Sequence, residues 1–288
     1  MVFSTILING DVGARGMHDR IAINHLCFLS DTMPRFTEHL HALGAKRVSL
    51  LAGYLLAEGG EEAAQALVSS GGYGVETIVH PFQSGRQIST REVDWVAPRA
   101  DLSRVIKIAA DLGAKSIYMV TGGHGSLDWD EAAHAFAAAI APCVAEAEAA
   151  GVQLMIETTN PFFADIHLAH SLADTIKLAD IAGIGVCIDL FACWAEANLK
   201  ALIAQAVPKC SIVQFSDYVY GDRTIPERAV PGDGAIPLER LVGWVLAAGY
   251  EGAFDLELGG PRIRAEGELT AARRASGYMT NLLNRLGA

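Results

Sequence analysis

Eight short runs of β-branched and other apolar residues recur along the chain: R-I-A-I-N-H-L, R-V-S-L-L-A, V-E-T-I-V-H, S-I-Y-M-V-T, V-Q-L-M-I-E, I-G-V-C-I-D, S-I-V-Q-F-S-D and A-F-D-L-E-L. Their ends fall near positions 26, 52, 80, 121, 157, 189, 217 and 257, a spacing of roughly 26 to 41 residues, which is the length of one strand, one helix and two loops. The intervening segments carry helix signals. Asp101 is a candidate cap for D-L-S-R-V-I-K-I-A-A-D-L-G, with Gly113 in the position that ends a helix. Asp128 with Glu131 reads as a capping box before a helix that ends at Gly151, with Pro142 as a kink. Near-continuous apolar runs imply strands covered on both faces, as in parallel sheets. Eight such units predict an α/β fold, a closed (β/α)8 TIM barrel in a single domain, with residues 20–288 as barrel and C-terminal helix and 1–19 as an N-terminal extension. The competing open, doubly wound sheet is disfavoured because no GxGxxG follows the first strand.

Charge and cysteine usage narrow the function. A formal net charge of -11 with no Lys/Arg block repels phosphate backbones and predicts no nucleic-acid partner. The five cysteines, Cys27, Cys143, Cys187, Cys193 and Cys210, form no CxxC pair, so neither a disulfide framework nor a thiolate zinc site is indicated. No stretch of 18 apolar residues runs without charge, and the N-terminus shows no basic region followed by a cleavable apolar segment. The expectation is a cytoplasmic protein without a membrane partner.

In a barrel of this kind the chemistry sits at the C-terminal ends of the strands. Here the fifth run ends in Glu157, the sixth in Asp189 and the eighth in Glu257, while the seventh offers Gln214. Three carboxylates at one mouth repel one another unless a proton or a cation holds them together. Oxygen donors from Glu, Asp and an amide suit Mg²⁺ or Mn²⁺, with Co²⁺ or Zn²⁺ as further possibilities. One divalent ion held by Glu157, Asp189, Gln214 and Glu257 is therefore expected.

Together with A-G-Y-E-G-A-F-D-L-E at 248–257 and R-A-V-P-G-D-G at 228–234, that spacing resembles the xylose isomerase-like TIM barrels, the sugar phosphate isomerase/epimerase superfamily, over about residues 20–285. The resemblance implies a metal bound by Glu, Asp, His and Glu at the ends of strands five to eight, with Gln214 standing where His is commoner. Some dehydratases resembling the superfamily also carry Gln there. Ala192 stands where many sugar epimerases place a His three residues past the strand-six Asp. The endonuclease branch uses extra histidines, and Glu227, Arg228 and Ala229 do not supply them. Asp217 follows Gln214 as an Asp follows the usual His, and the resemblance makes it a support for the site; a helix or loop cap is the alternative.

The implied chemistry is removal of a proton beside a carbonyl of a small sugar-like molecule, with a metal-stabilised enediolate and with Glu157 and Glu257 as the proton-transfer pair. Reprotonation gives isomerisation or epimerisation, and loss of a β-hydroxyl gives dehydration. The first reading is thus a metal-dependent sugar isomerase or epimerase. A lyase acting on a hydroxy-ketone and a catalytically silent sugar-binding barrel are the alternatives. Arg228, His80, His124 and His25 are the candidate substrate-binding residues, each against a plain structural role. Trp129 and Trp194 are candidate pocket walls. His39, His41 and His134 are expected on outer helix surfaces, and His167 and His170 near the start of the helix after Glu157, on its solvated surface or, alternatively, in support of the site. Homo-oligomerisation is left open.

Overall fold

The structure, a computed structural model, describes residues 16–288, so most of the expected N-terminal extension lies outside the described residues. Eight strands run in parallel and close on themselves in chain order: β1 (Ile21–Asn24), β2 (Arg47–Leu51), β3 (Gly74–His80), β4 (Ser116–Met119), β5 (Gln153–Glu157), β6 (Gly185–Asp189), β7 (Ile212–Phe215) and β8 (Ala253–Leu256). Pairing of β1 with β8, Ala22 opposite Asp255, completes the ring. The (β/α)8 expectation holds, and each strand coincides with one of the eight apolar runs, β3 starting one residue earlier at Gly74.

Two apolar layers follow from strand alternation. Ala22, Tyr118, Met155, Cys187, Ile212 and Ala253 fill the barrel interior, with Val79 packed against them. The opposite strand faces, with Ile23, Ile78, Ile156, Val186, Val213 and Phe254 among them, join the larger core beneath the surrounding helices. Those helices follow their local signals with one shift. The Asp128 and Glu131 capping box opens Trp129–Ala149, and Pro142 lies inside it. Gly113 ends its helix at φ 67°, but that helix spans Val96–Leu112, so Asp101 sits inside it and is not its cap. A 3-10 turn at Glu92–Trp95 leads straight into that helix.

All five cysteines are free, four of them buried. Among the described residues no helix is long and apolar enough to cross a membrane. His39 is buried and contacts Asp31 (Nε2 to Oδ2, 3.0 Å), unlike the exposed His41 and His134.

Candidate active site at the barrel mouth

The alternation that buries Met155, Cys187, Ile212 and Ala253 also decides what stands above them. Two residues further along β5, β6 and β7 the inward positions are Glu157, Asp189 and Gln214, and on β8 they are Asp255 and then Glu257. Register places Glu157 beside Cys187, Asp189 beside Gln214, and Gln214 beside Asp255. The four expected ligands are brought together at the mouth. Gln214 is fully buried, its Nε2 donating to Glu257 Oε2 and to the Tyr118 hydroxyl (3.0 Å), and its Oε1 accepting from Cys187 Sγ (3.3 Å).

The positive charge among these carboxylates belongs to Arg228. Its Nη2 lies 2.9 Å from Asp189 Oδ2 and 2.9 Å from Glu257 Oε1, and its Nη1 donates to Ser216 Oγ (3.0 Å) and more weakly to Asp189 Oδ1 (3.4 Å). The guanidinium also stacks 4.6 Å from the centre of the Phe191 ring. Burial works against its charge, but Asp189 and then Glu257 outweigh that effect and hold its pKa above the ordinary arginine value. Glu257 is pushed up to about 6, first by burial, with Arg228 opposing and Asp189 adding. Glu157 is driven well above the carboxylate range by burial and then by Glu257 and Asp189.

Asp217 explains how Arg228 comes to be there. Its buried carboxylate accepts four backbone N–H groups: Tyr218 (2.8 Å) and Ile236 (3.0 Å) on Oδ1, Gly232 (2.9 Å) and Gly234 (3.1 Å) on Oδ2. A reciprocal backbone pair, Asp217 N to Ala229 O (2.9 Å) and Ala229 N to Asp217 O (2.8 Å), binds the base of the same loop. Gly232 has φ +95°, and a Cβ on Gly234 would collide with the Asp217 carboxylate and the Tyr218 carbonyl. The Asp therefore clamps the P-G-D-G loop and positions Arg228. Asp233 faces away and pairs with Arg274 (2.6 Å).

A polar layer lies directly below. Asp255 accepts from Asn24 Nδ2 and Ser49 Oγ, both at 2.7 Å, and burial raises its pKa to about 8. Asn24 Nδ2 also reaches the Tyr118 hydroxyl (3.2 Å). His167 is fully buried, not on a solvated helix surface: its Nδ1 accepts from Thr121 N (3.0 Å), leaving Nε2–H for the Glu157 carbonyl (2.9 Å). It joins the ends of β4 and β5. These partners carry a signal in the sequence, since D-L-E alternation places Asp255 on the face of Glu257, whereas nothing local marks Tyr118 or His167.

Above the carboxylates opens a cavity of about 430 Å³. Glu157, Asp189, Arg228 and Glu257 line its floor, and Phe191, Ala192, Trp194 and Tyr218 contribute to its walls. Three expected substrate contacts are not among its lining residues. His80 is buried on the outer side of β3, because Val79 takes the inward position; its Nδ1 accepts from Phe82 N (2.9 Å). His25 is fully buried between the rings of Phe36 and Tyr54, 4.3 and 4.4 Å away. His124 is exposed and bonds the Leu127 carbonyl (2.9 Å). Of the two tryptophans, Trp194 lines the cavity; Trp129 packs under Lys177 and donates to the Leu168 carbonyl.

The donor set at the floor, three carboxylates and an amide, has the chemistry of a site for a hard divalent ion. Among the described residues no three His, Cys, Asp or Glu side chains stand in a ligating arrangement, since Arg228 separates Asp189 from Glu257 and Gln214 turns its NH₂ toward Glu257.

The architecture recurs in solved structures. A Sinorhizobium meliloti 1021 protein shares 23% identity with this chain, covering 93% of it and 98% of its own length, at a TM-score of 0.79. An IolI protein with a bound zinc atom shares 16% identity over 92% of this chain and 98% of its own (TM-score 0.77), and an L-ribulose 3-epimerase 19% over 94% and 96% (TM-score 0.76). Identities this low establish a shared fold, and chemistry has to be argued from the site. A search of the curated proteins finds no match. Residues 46–282, from the start of the second strand unit into the last helix, match the profile of one family, and by that match the chain belongs to the xylose isomerase-like TIM barrels.

Proposed function

We propose that the protein is a divalent-metal-dependent isomerase or epimerase of a small polyhydroxy carbonyl compound, with Glu157, Asp189, Gln214 and Glu257 as metal ligands. The observation that carries this reading is the convergence of Glu157 and Glu257, from β5 and β8, on the floor of a single cavity together with Asp189 and Arg228. A divalent ion held by Glu157, Asp189, Gln214 and Glu257 would supply positive charge next to a substrate oxygen and so acidify the neighbouring C–H bond. Glu157 and Glu257 take and return that proton from different sides of the substrate. Arg228, stacked on Phe191 and anchored by Ser216, holds its positive charge between Asp189 and Glu257 at the cavity floor, where it orients those carboxylates and attracts a substrate oxygen. The Asp217 clamp keeps that guanidinium in register.

A lyase is the second reading. It is favoured by Ala192, which lines the cavity where a further histidine would be expected in a ketose epimerase, and by the amide of Gln214. Incubation of the Mn²⁺-loaded protein in deuterated water with a panel of sugars and cyclitols tests both. Uptake of deuterium at unchanged composition supports the isomerase or epimerase, and loss of water supports the lyase. Absence of exchange with every compound contradicts both and leaves a binding protein.

A further inference from the structure

The cavity is larger and more apolar than a free or phosphorylated sugar requires. A hexose has twelve non-hydrogen atoms of about 15 Å³ each at interior packing density, so it fills about 180 Å³, less than half of the available 430 Å³. Seated on the floor among Glu157, Asp189 and Glu257, such a molecule leaves the outer half empty.

That outer half is built from rings. Trp194, after β6, packs against Tyr218 and Tyr220, with centroids 6.3 Å away in each case; Ile225, in the same loop after β7 as the two tyrosines, and Phe162, after β5, line the opening with Trp194 and Tyr218. Phe162 is 72% exposed and Ile225 43%, and Tyr220, 74% exposed, packs beside the opening on Trp194 and Tyr218; these are three of the six large apolar residues left exposed among the described ones. Half of the exposed large apolar side chains therefore sit around one opening, and such a concentration marks a binding surface.

Charge argues in the same direction. Five carboxylic side chains line the cavity, Glu157, Asp189, Asp222, Glu227 and Glu257, against two guanidiniums, Arg223 and Arg228. Arg228 is engaged by Asp189 and Glu257, while Arg223 Nη1 donates to the Asp222 carbonyl (2.7 Å) and the Tyr218 hydroxyl. No lysine lines the cavity. Asp222 is itself held by Arg262 (2.5 and 2.9 Å), so a phosphate group would find the cavity guanidiniums already engaged and no lysine beside it.

We infer that the substrate is an uncharged conjugate: a polyhydroxy carbonyl unit on the carboxylate floor, joined to a planar apolar group that the rim rings of Trp194, Tyr218 and Phe162 cover, with Tyr220 packed against the first two. This rests on the proposed function for the floor and adds the class of molecule that fills the remainder. Aromatic stacking and burial of the second group raise affinity without touching the reacting carbons.

The test uses the full chain with Mn²⁺ and measures Kd by calorimetry for the 3-keto derivatives of p-nitrophenyl and methyl glycosides of glucose, galactose and xylose, which keep a carbonyl beside C–H bonds, and for glucose and glucose 6-phosphate. The expected result is at least one p-nitrophenyl glycoside binding about tenfold more tightly than its methyl partner, and glucose 6-phosphate more weakly than glucose. Tyr220→Ala and Phe162→Ala, both at exposed positions, should each shrink the aryl preference about threefold. Equal binding of aryl and methyl partners throughout, no binding by any probe, a preference for the phosphorylated sugar, or a ratio untouched by both variants overturns the inference. A dimer dissociated by Tyr220→Asp would assign the rim to a second copy of the chain and overturn it as well. Solvent deuterium entering free sugars without any aryl preference would leave the isomerase reading intact and this inference refuted; aryl preference without exchange would do the reverse.

Discussion

Replacing Asp217 removes the acceptor on which the P-G-D-G loop is built, and the size of the loss follows from its four hydrogen bonds. In Asp217→Ala the N–H groups of Tyr218, Gly232, Gly234 and Ile236 lose a charged acceptor inside a loop whose base is held by the Ala229 backbone pair. Charge-assisted bonds contribute about 1.5–3 kcal/mol each when isolated, and partial relaxation of the loop toward water brings the sum to about 3–5 kcal/mol. For a chain of this size that corresponds to a fall in Tm of roughly 5–8 °C. Asp217→Asn keeps one oxygen and so one pair of acceptor bonds, and should lose about half as much. Asp233→Ala, which breaks an exposed pair with Arg274, is the control and should change stability by about 1 kcal/mol or less. Urea denaturation followed by circular dichroism measures all three. A loss for Asp217→Ala no larger than the control, or an Asn variant as stable as the wild type, refutes the clamp.

Acid should destabilise the fold through buried imidazoles. Burial lowers the pKa of both His25 and His80 to about 4 in the folded state, against about 6.5 in the unfolded chain, so the unfolded state takes up protons first as pH falls. Their contribution is complete above pH 6.5 and is lost on descending toward pH 4, about 2 kcal/mol each by pH 5. Denaturation at pH 7 and 5 checks this: a His25→Phe, His80→Gln double variant should flatten the dependence, and an unchanged slope assigns it to other groups. Tyr118→Phe removes the hydroxyl that accepts from Asn24 and Gln214 and should cost about 1–3 kcal/mol in the same assay, whereas a neutral result would detach Tyr118 from the polar layer.

The barrel is readable in the sequence because parallel strands covered on both faces must be apolar almost throughout, and a polar residue at the end of such a run stands out. That is how Glu157, Asp189, Gln214 and Glu257 can be recognised before any coordinates. Register within a strand is less legible: His80 ends its run as Glu157 does, but a β3 whose inward position is Val79 turns that ring to the helices. Ring stacking likewise claims His25, and no local pattern announces it. Arg228 lies fourteen residues beyond Gln214, and its place beside Asp189 depends on the loop that Asp217 folds. Asp101 misplaces a helix start because the 3-10 turn at Glu92–Trp95 opens that helix earlier than its most obvious cap.

Metal content decides the central claim most directly. Protein freed of metal with chelator, dialysed against Mn²⁺ and analysed by plasma mass spectrometry should carry one ion per chain, while Glu257→Gln and Asp189→Asn, confirmed as folded by circular dichroism, should carry almost none. Equal metal in wild type and both variants, or none in the wild type, would contradict an ion held by the ends of β5 to β8.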